Sequence, residues 1–227
     1  MAHKPPGISV LLLGDIPALF DHSNTKTIKQ SFKGKEFMCK FPGGQLYFES
    51  KLSLDADGSP VYAPQDPTGQ LHTAARLADG SDLDADAINY FVLPGGFFAQ
   101  HGIRKGDIGV VIFGVRKAFA CLGDVGPSGS LGEGSISLHR ELGNETIRGR
   151  HTASGGTLIN RGIDGNVVTI VFPGSGNGFA RTNLESAGIG SMHFQRLQQE
   201  ASAFKQQVTQ SLQNVRNMFI PDLLRRF

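Results

Sequence analysis

The chain has no tryptophan, three tyrosines and only two cysteines in 227 residues. Cys39 and Cys121 alone cannot build a disulfide scaffold or a cysteine-based zinc cage. They either bridge each other or stay apart, and thiols are expected because a free cysteine ordinarily behaves as a small core residue. Long apolar runs are also missing. None approaches the roughly 20 residues that cross a bilayer, which excludes a helical membrane span. The apolar stretch Ile8 to Leu13 is broken by Gly14 and Asp15. It is shorter than the core of a usual secretory signal, and is expected as a first strand or irregular lead-in.

Charge of one sign is scarce overall, with a formal net charge of +2. The balance hides an asymmetry, however. Residues 49–86 hold eight carboxylates, Asp55, Asp57, Asp82, Asp84 and Asp86 among them, against Lys51 and Arg76 alone. The basic residues elsewhere are split among the tail, Arg148, Arg150 and isolated sites, so nucleic-acid binding is not expected. Thirty glycines and eleven prolines argue against a long helical bundle. A hydrophobic content of 39% is too high for disorder, and the length suffices to bury a real core.

What is present reads mainly as strands between turns. Residues 45–54 alternate and stop at Asp55-Ala-Asp-Gly58, while Tyr90–Leu93 is short and apolar and ends at Pro94-Gly-Gly96. Residues 107–113 and 117–122 read as consecutive strands across a tight Gly114-Val-Arg116 connection. Residues 167–172 form the clearest strand, and 132–142 is expected as one short helix ending at Gly143. From Ser191, apolar residues recur every three or four positions from Phe194 to Phe219, which predicts an amphipathic helix capped by Ser191 and stopped by Pro221. That helix packs on the body or pairs two copies of the chain. The expected class is mainly β with some α: a lead-in over 1–30, a barrel domain over 31–190 and a helical extension over 191–227.

Most motif candidates fail on spacing. A calcium loop placed on Gly58 would put Pro64 where a bidentate Glu is required. Gly174-Ser-Gly-Asn-Gly178 is not a dinucleotide fingerprint, and the histidines form no ligand-like pair. No metal and no cofactor are expected. One segment stands apart. Asp124 comes at the end of an apolar strand, a Gly126-Pro-Ser-Gly-Ser130 turn reverses the chain, and Glu133 follows between Gly132 and Gly134. Acids in loops are commonly solvated and nothing more. Facing each other across a gap, such a pair performs glycoside hydrolysis, one protonated as general acid and one ionised as base or nucleophile.

With Leu52-Ser-Leu-Asp-Ala-Asp-Gly58, Asn89-Tyr-Phe-Val-Leu-Pro94, Phe119-Ala-Cys-Leu-Gly-Asp-Val-Gly-Pro127, Gly132-Glu-Gly-Ser135 and Val171-Phe-Pro-Gly-Ser175, the chain resembles the chitosanases of glycoside hydrolase family 75. The resemblance runs from about Phe32 to Gly178. It implies a compact six-stranded, double-psi-like β-barrel and an endo-acting, inverting hydrolase of the β-1,4 bonds between glucosamine units. It also implies Asp124 and Glu133 as the essential acids and an extracellular location, although no convincing signal peptide is present. Departures exist: Ala56 stands where many relatives carry cysteine, and the tail from Ser191 lies outside the match. Chitosan carries protonated amines at mildly acidic pH, so a cleft edged by Asp55, Asp57, Asp84 and neighbouring acids would attract it, and Tyr90 or Tyr47 could offer a ring to a sugar. We expect Glu133 as acid and Asp124 as base, with the reverse assignment as the alternative, a monomer or a dimer through the tail, and no membrane partner. A non-catalytic polysaccharide-binding barrel and a peptidoglycan-active enzyme are the alternatives.

Overall fold

A computed structural model describes residues 10–21, 26–27, 37–149, 156–159 and 162–224. Phe32, where the resemblance begins, and Arg150 lie outside them. Ten strands follow in chain order: β1 (Lys26–Thr27), β2 (Phe37–Lys40), β3 (Leu46–Asp55), β4 (Tyr90–Pro94), β5 (Ile108–Phe113), β6 (Arg116–Gly126), β7 (Glu133–Ser135), β8 (Ile147–Arg148), β9 (Thr157–Leu158) and β10 (Ile163–Val171). Six of them form a closed mixed barrel in the order β3-β10-β5-β6-β4-β7, sealed by parallel pairing of β7 with β3. The β4–β6 pair is also parallel and the remaining barrel pairs are antiparallel. Closure removes the unpaired edges that an open sheet would expose. This is the expected mainly β class with its six-stranded barrel.

The apolar patterns explain the layers. Alternate residues of β3 (Leu46, Phe48, Leu52) join Phe91, Val111, Leu122, Val167 and Val171 in one core. The opposite faces of β5 and β10, through Val110, Ile112, Val168 and Ile170, join Tyr47 in a second layer covered by helix. Strands buried on both faces read as nearly continuous apolar runs, which is why residues 108–112 and 167–171 were conspicuous. Cys39 and Cys121 are buried in separate clusters as free thiols, as expected.

The helices are α1 (Val10–Leu13), α2 (Phe97–Gln100), α3 (Ile136–Glu141) and α4 (Asn183–Leu224). Three expectations are corrected here. The lead-in is not a strand: α1 and the 3-10 turn Ile16–Asp21 place Leu13, Ile16 and Leu19, three residues apart, against Phe194, Leu197 and Ala201 of α4. Residues 132–142 are not one helix. Glu133–Ser135 is strand β7, and α3 begins only at Ile136, capped by the Ser135 hydroxyl, which accepts from the Leu138 N–H.

The third correction concerns α4, which begins eight residues before Ser191. Thr182 and Glu185 cap it reciprocally: the Glu185 carboxylate accepts from the Thr182 N–H at 3.0 Å and the Thr182 hydroxyl accepts from the Glu185 N–H at 3.4 Å. Gly188 and Gly190 resemble a break in sequence, yet Gly190 lies where a Cβ would stand 2.4 Å from the Phe119 ring. Its missing side chain is what lets the helix sit on β6. The helix also continues to Leu224 past Pro221, near enough to its end that one lost backbone hydrogen bond does not stop it.

Candidate functional site

The site starts from an extra residue. Along β6 the register with β4 runs Leu122 opposite Phe91, then Asp124 opposite Val92, so Gly123 is a bulge. In a regular strand Leu122 and Asp124 would share a face. The bulge instead turns Asp124 to the Val92 face, while Leu122 stays in the core with Phe91. Gly123 is required there because a Cβ would stand 2.4 Å from Tyr90 Cβ. On the other side of β4, Glu133 of β7 also pairs with Val92. The two acids therefore flank the same residue of the same strand, and Val92 lies between them.

A cleft of about 260 Å³ opens over this row, lined by Asp55, Asp57, Asp66, Asp124 and Glu133 together with Leu54, Val92, Val125 and Pro127. Asp55 ends β3, two residues beyond Ser53, the parallel partner of Glu133. The turn that follows is tightly specified. The Asp57 N–H donates to Asp55 Oδ1 at 2.8 Å and the Gln70 N–H donates to Asp57 Oδ1 at 2.6 Å. Gly58 adopts a φ of +76°, and a Cβ there would meet the Leu83 carbonyl at 2.0 Å. Asp124 Oδ1 accepts from Ala74 N–H at 3.0 Å and from Val125 N–H at 2.7 Å. Its Oδ2 is buried and has no hydrogen-bond donor among the described residues. Behind Glu133, the buried His139 ring contacts the Ser53 carbonyl at 3.1 Å and Asn144 at 3.0 Å, bracing the β3–β7 junction.

Burial and mutual repulsion shift these carboxyls. Desolvation, with Asp57, Glu133 and Asp124 nearby, pushes Asp55 up to about 8, and desolvation pushes Asp57 up to about 6. Burial likewise raises Asp124 and Glu133 above the usual carboxylate range, opposed by two backbone N–H groups and Lys105 at Asp124 and by Lys51 at Glu133. Asp55, Asp57 and Asp124 bring one oxygen each within 4.8 Å of one another. A calcium ion takes six to eight oxygens, whereas each of these groups already has one oxygen committed to backbone N–H groups.

Asp55 yields a stability prediction. It is 8% exposed, and the folded chain keeps a proton that the unfolded chain releases near pH 4. The native state then binds more protons than the unfolded state between those pH values. Stability from this group is complete below pH 4 and is lost as pH rises towards 8. In calorimetry, Asp55→Asn is expected to raise the melting temperature by roughly 5–10 °C at pH 8 and to leave it nearly unchanged at pH 4. A lower melting temperature at pH 8 would refute a neutral buried Asp55.

Three expected substrate contacts are corrected. Tyr90 is fully buried and its hydroxyl donates to the Asp57 carbonyl at 2.9 Å, so it holds the Asp57 turn and offers no ring to a sugar. Tyr47 is equally buried and donates to Glu49 at 2.6 Å. Asp84 does not line the cleft; its carboxylate accepts from the Asp86 N–H and shapes its own turn. Asp82 and Asp86 are likewise engaged, with Arg76 and His72 and with Arg140 respectively. Asp66, Val92 and the Gly123 bulge are the site residues that sequence reasoning missed. A glycine inside an apolar strand was the one available signal for the bulge. Wider depressions of about 420 and 510 Å³ follow α4, but the first is lined largely by glutamines, and the acid of the second, Asp15, is paired with Lys205. Among the described residues no helix is long and apolar enough to cross a membrane. No protein-family model matches the chain, and no curated protein matches it.

Proposed function

We propose that the protein is an inverting endo-chitosanase, hydrolysing β-1,4 bonds between glucosamine units with Glu133 as general acid and Asp124 as general base. The observation that carries this reading is the pairing of both acids with Val92 from opposite sides of β4. Two strand spacings of about 4.8 Å each separate their Cα atoms by roughly 9–10 Å. Inversion requires carboxyl groups about 6.5–9.5 Å apart, with a water between base and sugar, and retention about 5–5.5 Å; the anomer released distinguishes the two.

The environments favour this division of roles. Asp124 accepts two backbone N–H bonds and faces Lys105, all of which favour the carboxylate that a base must be. Burial raises both acids, but at Glu133 the opposition comes from the Lys51 charge, whereas at Asp124 it comes from two backbone N–H bonds and Lys105, so the balance keeps Glu133 the more readily protonated partner. The substrate class follows from charge. Asp66 and the ionised base Asp124 line one cleft, and a protonated glucosamine amine complements their negative charge where a neutral N-acetylated sugar cannot.

The test is incubation with fully deacetylated chitosan, following reducing ends and their anomeric form by NMR at early times. We expect internal cleavage with α-anomers at the new reducing ends. Early β-anomers would contradict inversion. Binding without turnover, or clearing of bacterial cell walls with inertness towards chitosan, would overturn the assignment.

A further inference from the structure

Asp124 is 8% exposed, and its Oδ2 is buried with no donor among the described residues. A base in that state holds one oxygen by two N–H bonds and leaves the other unsupported in a poorly solvated place, which is costly for a carboxylate. Of the two carboxyls with an oxygen within 4.8 Å of an Asp124 oxygen, Asp55 and Asp57, the one in side-chain hydrogen-bond interaction with Asp124 is Asp57. An ionised Asp57 offers no donor, whereas a protonated one does. Resting on the chitosanase reading, we infer that Asp57 is a positioning residue: its protonated carboxyl donates to Asp124 Oδ2 and keeps Asp124 ionised and aimed as the base.

The turn around Asp57 is built for this. Gln70 N–H holds Oδ1, Tyr90 holds the Asp57 carbonyl from beneath, and the Asp57 N–H is tied to Asp55. The side chain therefore presents its remaining oxygen with little freedom. The charged and titratable groups facing Asp57 push the same way. Asp55 from its own turn, Asp66 from the following segment, Asp124 from β6 and Glu133 from β7 all oppose its ionisation, and Tyr90 from β4 is neutral. The cations Lys105 and Lys51 act on Asp124 and Glu133 respectively. The Lys105 charge thus favours ionisation of Asp124, and the proton stays on Asp57, whose carboxyl is pushed by burial up to about 6. Above that pH two adjacent carboxylates remain, the support for Oδ2 is lost, and the base is displaced by repulsion. The device therefore works where chitosan amines are protonated.

The test reads the proton directly and does not require chitosan to be the substrate. Side-chain carboxyl carbons of the full chain are followed by NMR over pH 3–9, in wild type, Asp57→Asn and Asp57→Ala. We expect the Asp124 carbon of wild type to show a second inflection near pH 6, shared with Asp57, and to lose it in Asp57→Asn. The asparagine variant keeps a donor towards Asp124 and the acceptor for Gln70, so its fold is preserved. In hydrolysis, Asp57→Asn is expected to lose the decline of kcat above pH 6. Asp57→Ala is expected to lower kcat about tenfold or more with KM little changed. Independent titration of the two carbons, with an Asp124 curve unaltered by Asp57→Asn, would overturn the inference whether or not chitosan is cleaved. So would an Asp57→Asn variant as inactive as Asp124→Asn at every pH, because Asp57 would then itself be the base.

Discussion

Glu133→Gln is expected to lower the rate of chitosan hydrolysis by about 10²–10⁴-fold, the range that a single positioned acid contributes, while chitosan binding persists. The amide matches the carboxyl in shape and sits at the start of β7, whose pairing with β3 and β4 is made by the backbone. The loss would therefore report on the proton and not on the fold. Asp124→Asn is expected to fall by a similar factor, since its Oδ1 can still accept from Ala74 and Val125 while the base is gone. Rescue separates the two roles. A small anion such as azide can replace the water that a missing base would have activated, so Asp124→Ala is expected to recover with azide. Glu133→Ala should not recover with azide, because its defect lies in the leaving group. It should recover instead on substrates whose leaving group needs no proton. Rescue in the opposite sense would exchange the assignments, and full activity of Glu133→Gln would end the hydrolase reading.

What the sequence discloses depends on how much of a feature is periodic. Strands β3, β5, β6 and β10 were legible because six or more residues carry alternation or continuous apolarity. Strand β7 has three residues, two of them small, and no period can be read from Glu-Gly-Ser. Its partners on β3 and β4 define it as a strand, and those partners lie 80 and 43 residues away in sequence, as with Ser53 opposite Glu133 and Phe91 opposite Gly134. The same distinction runs through the site. Asp55, Asp57, Asp124 and Glu133 were legible from turns rich in glycine, and they line one cleft. Asp84 looked equivalent to Asp57, because a count of charges does not reveal that its carboxylate serves a local turn. Tyr90 looked like a sugar platform, because an aromatic residue in a short apolar strand carries no record of which face is covered.

Gly123→Ala is the structural counterpart of the acid substitutions, and its effect should be nearly as large. The added Cβ would stand 2.4 Å from Tyr90 Cβ and 3.0 Å from Leu83 Cδ2, both on fully buried side chains. Tyr90 has little room to yield, since its hydroxyl anchors the Asp57 carbonyl and its backbone pairs with Cys121. Relief must then come from β6 itself, at the bulge that turns Asp124 towards Val92. Overpacking of this kind costs about 1–3 kcal/mol, and a displacement near 1 Å at a catalytic group costs about 10²-fold in rate. We therefore expect kcat/KM to drop by about that factor, with a lowered melting temperature and a disturbed Asp124–Asp57 titration. The control is Gly188→Ala on α4, where a Cβ meets nothing within 4 Å. There a glycine inside a helix is exchanged for the best helix former, so stability should rise by about 0.5–1 kcal/mol with activity unchanged. If Gly123→Ala retained full activity, the bulge would not be what aims Asp124, and the link between a buried tyrosine, a missing Cβ and the position of the base would be broken.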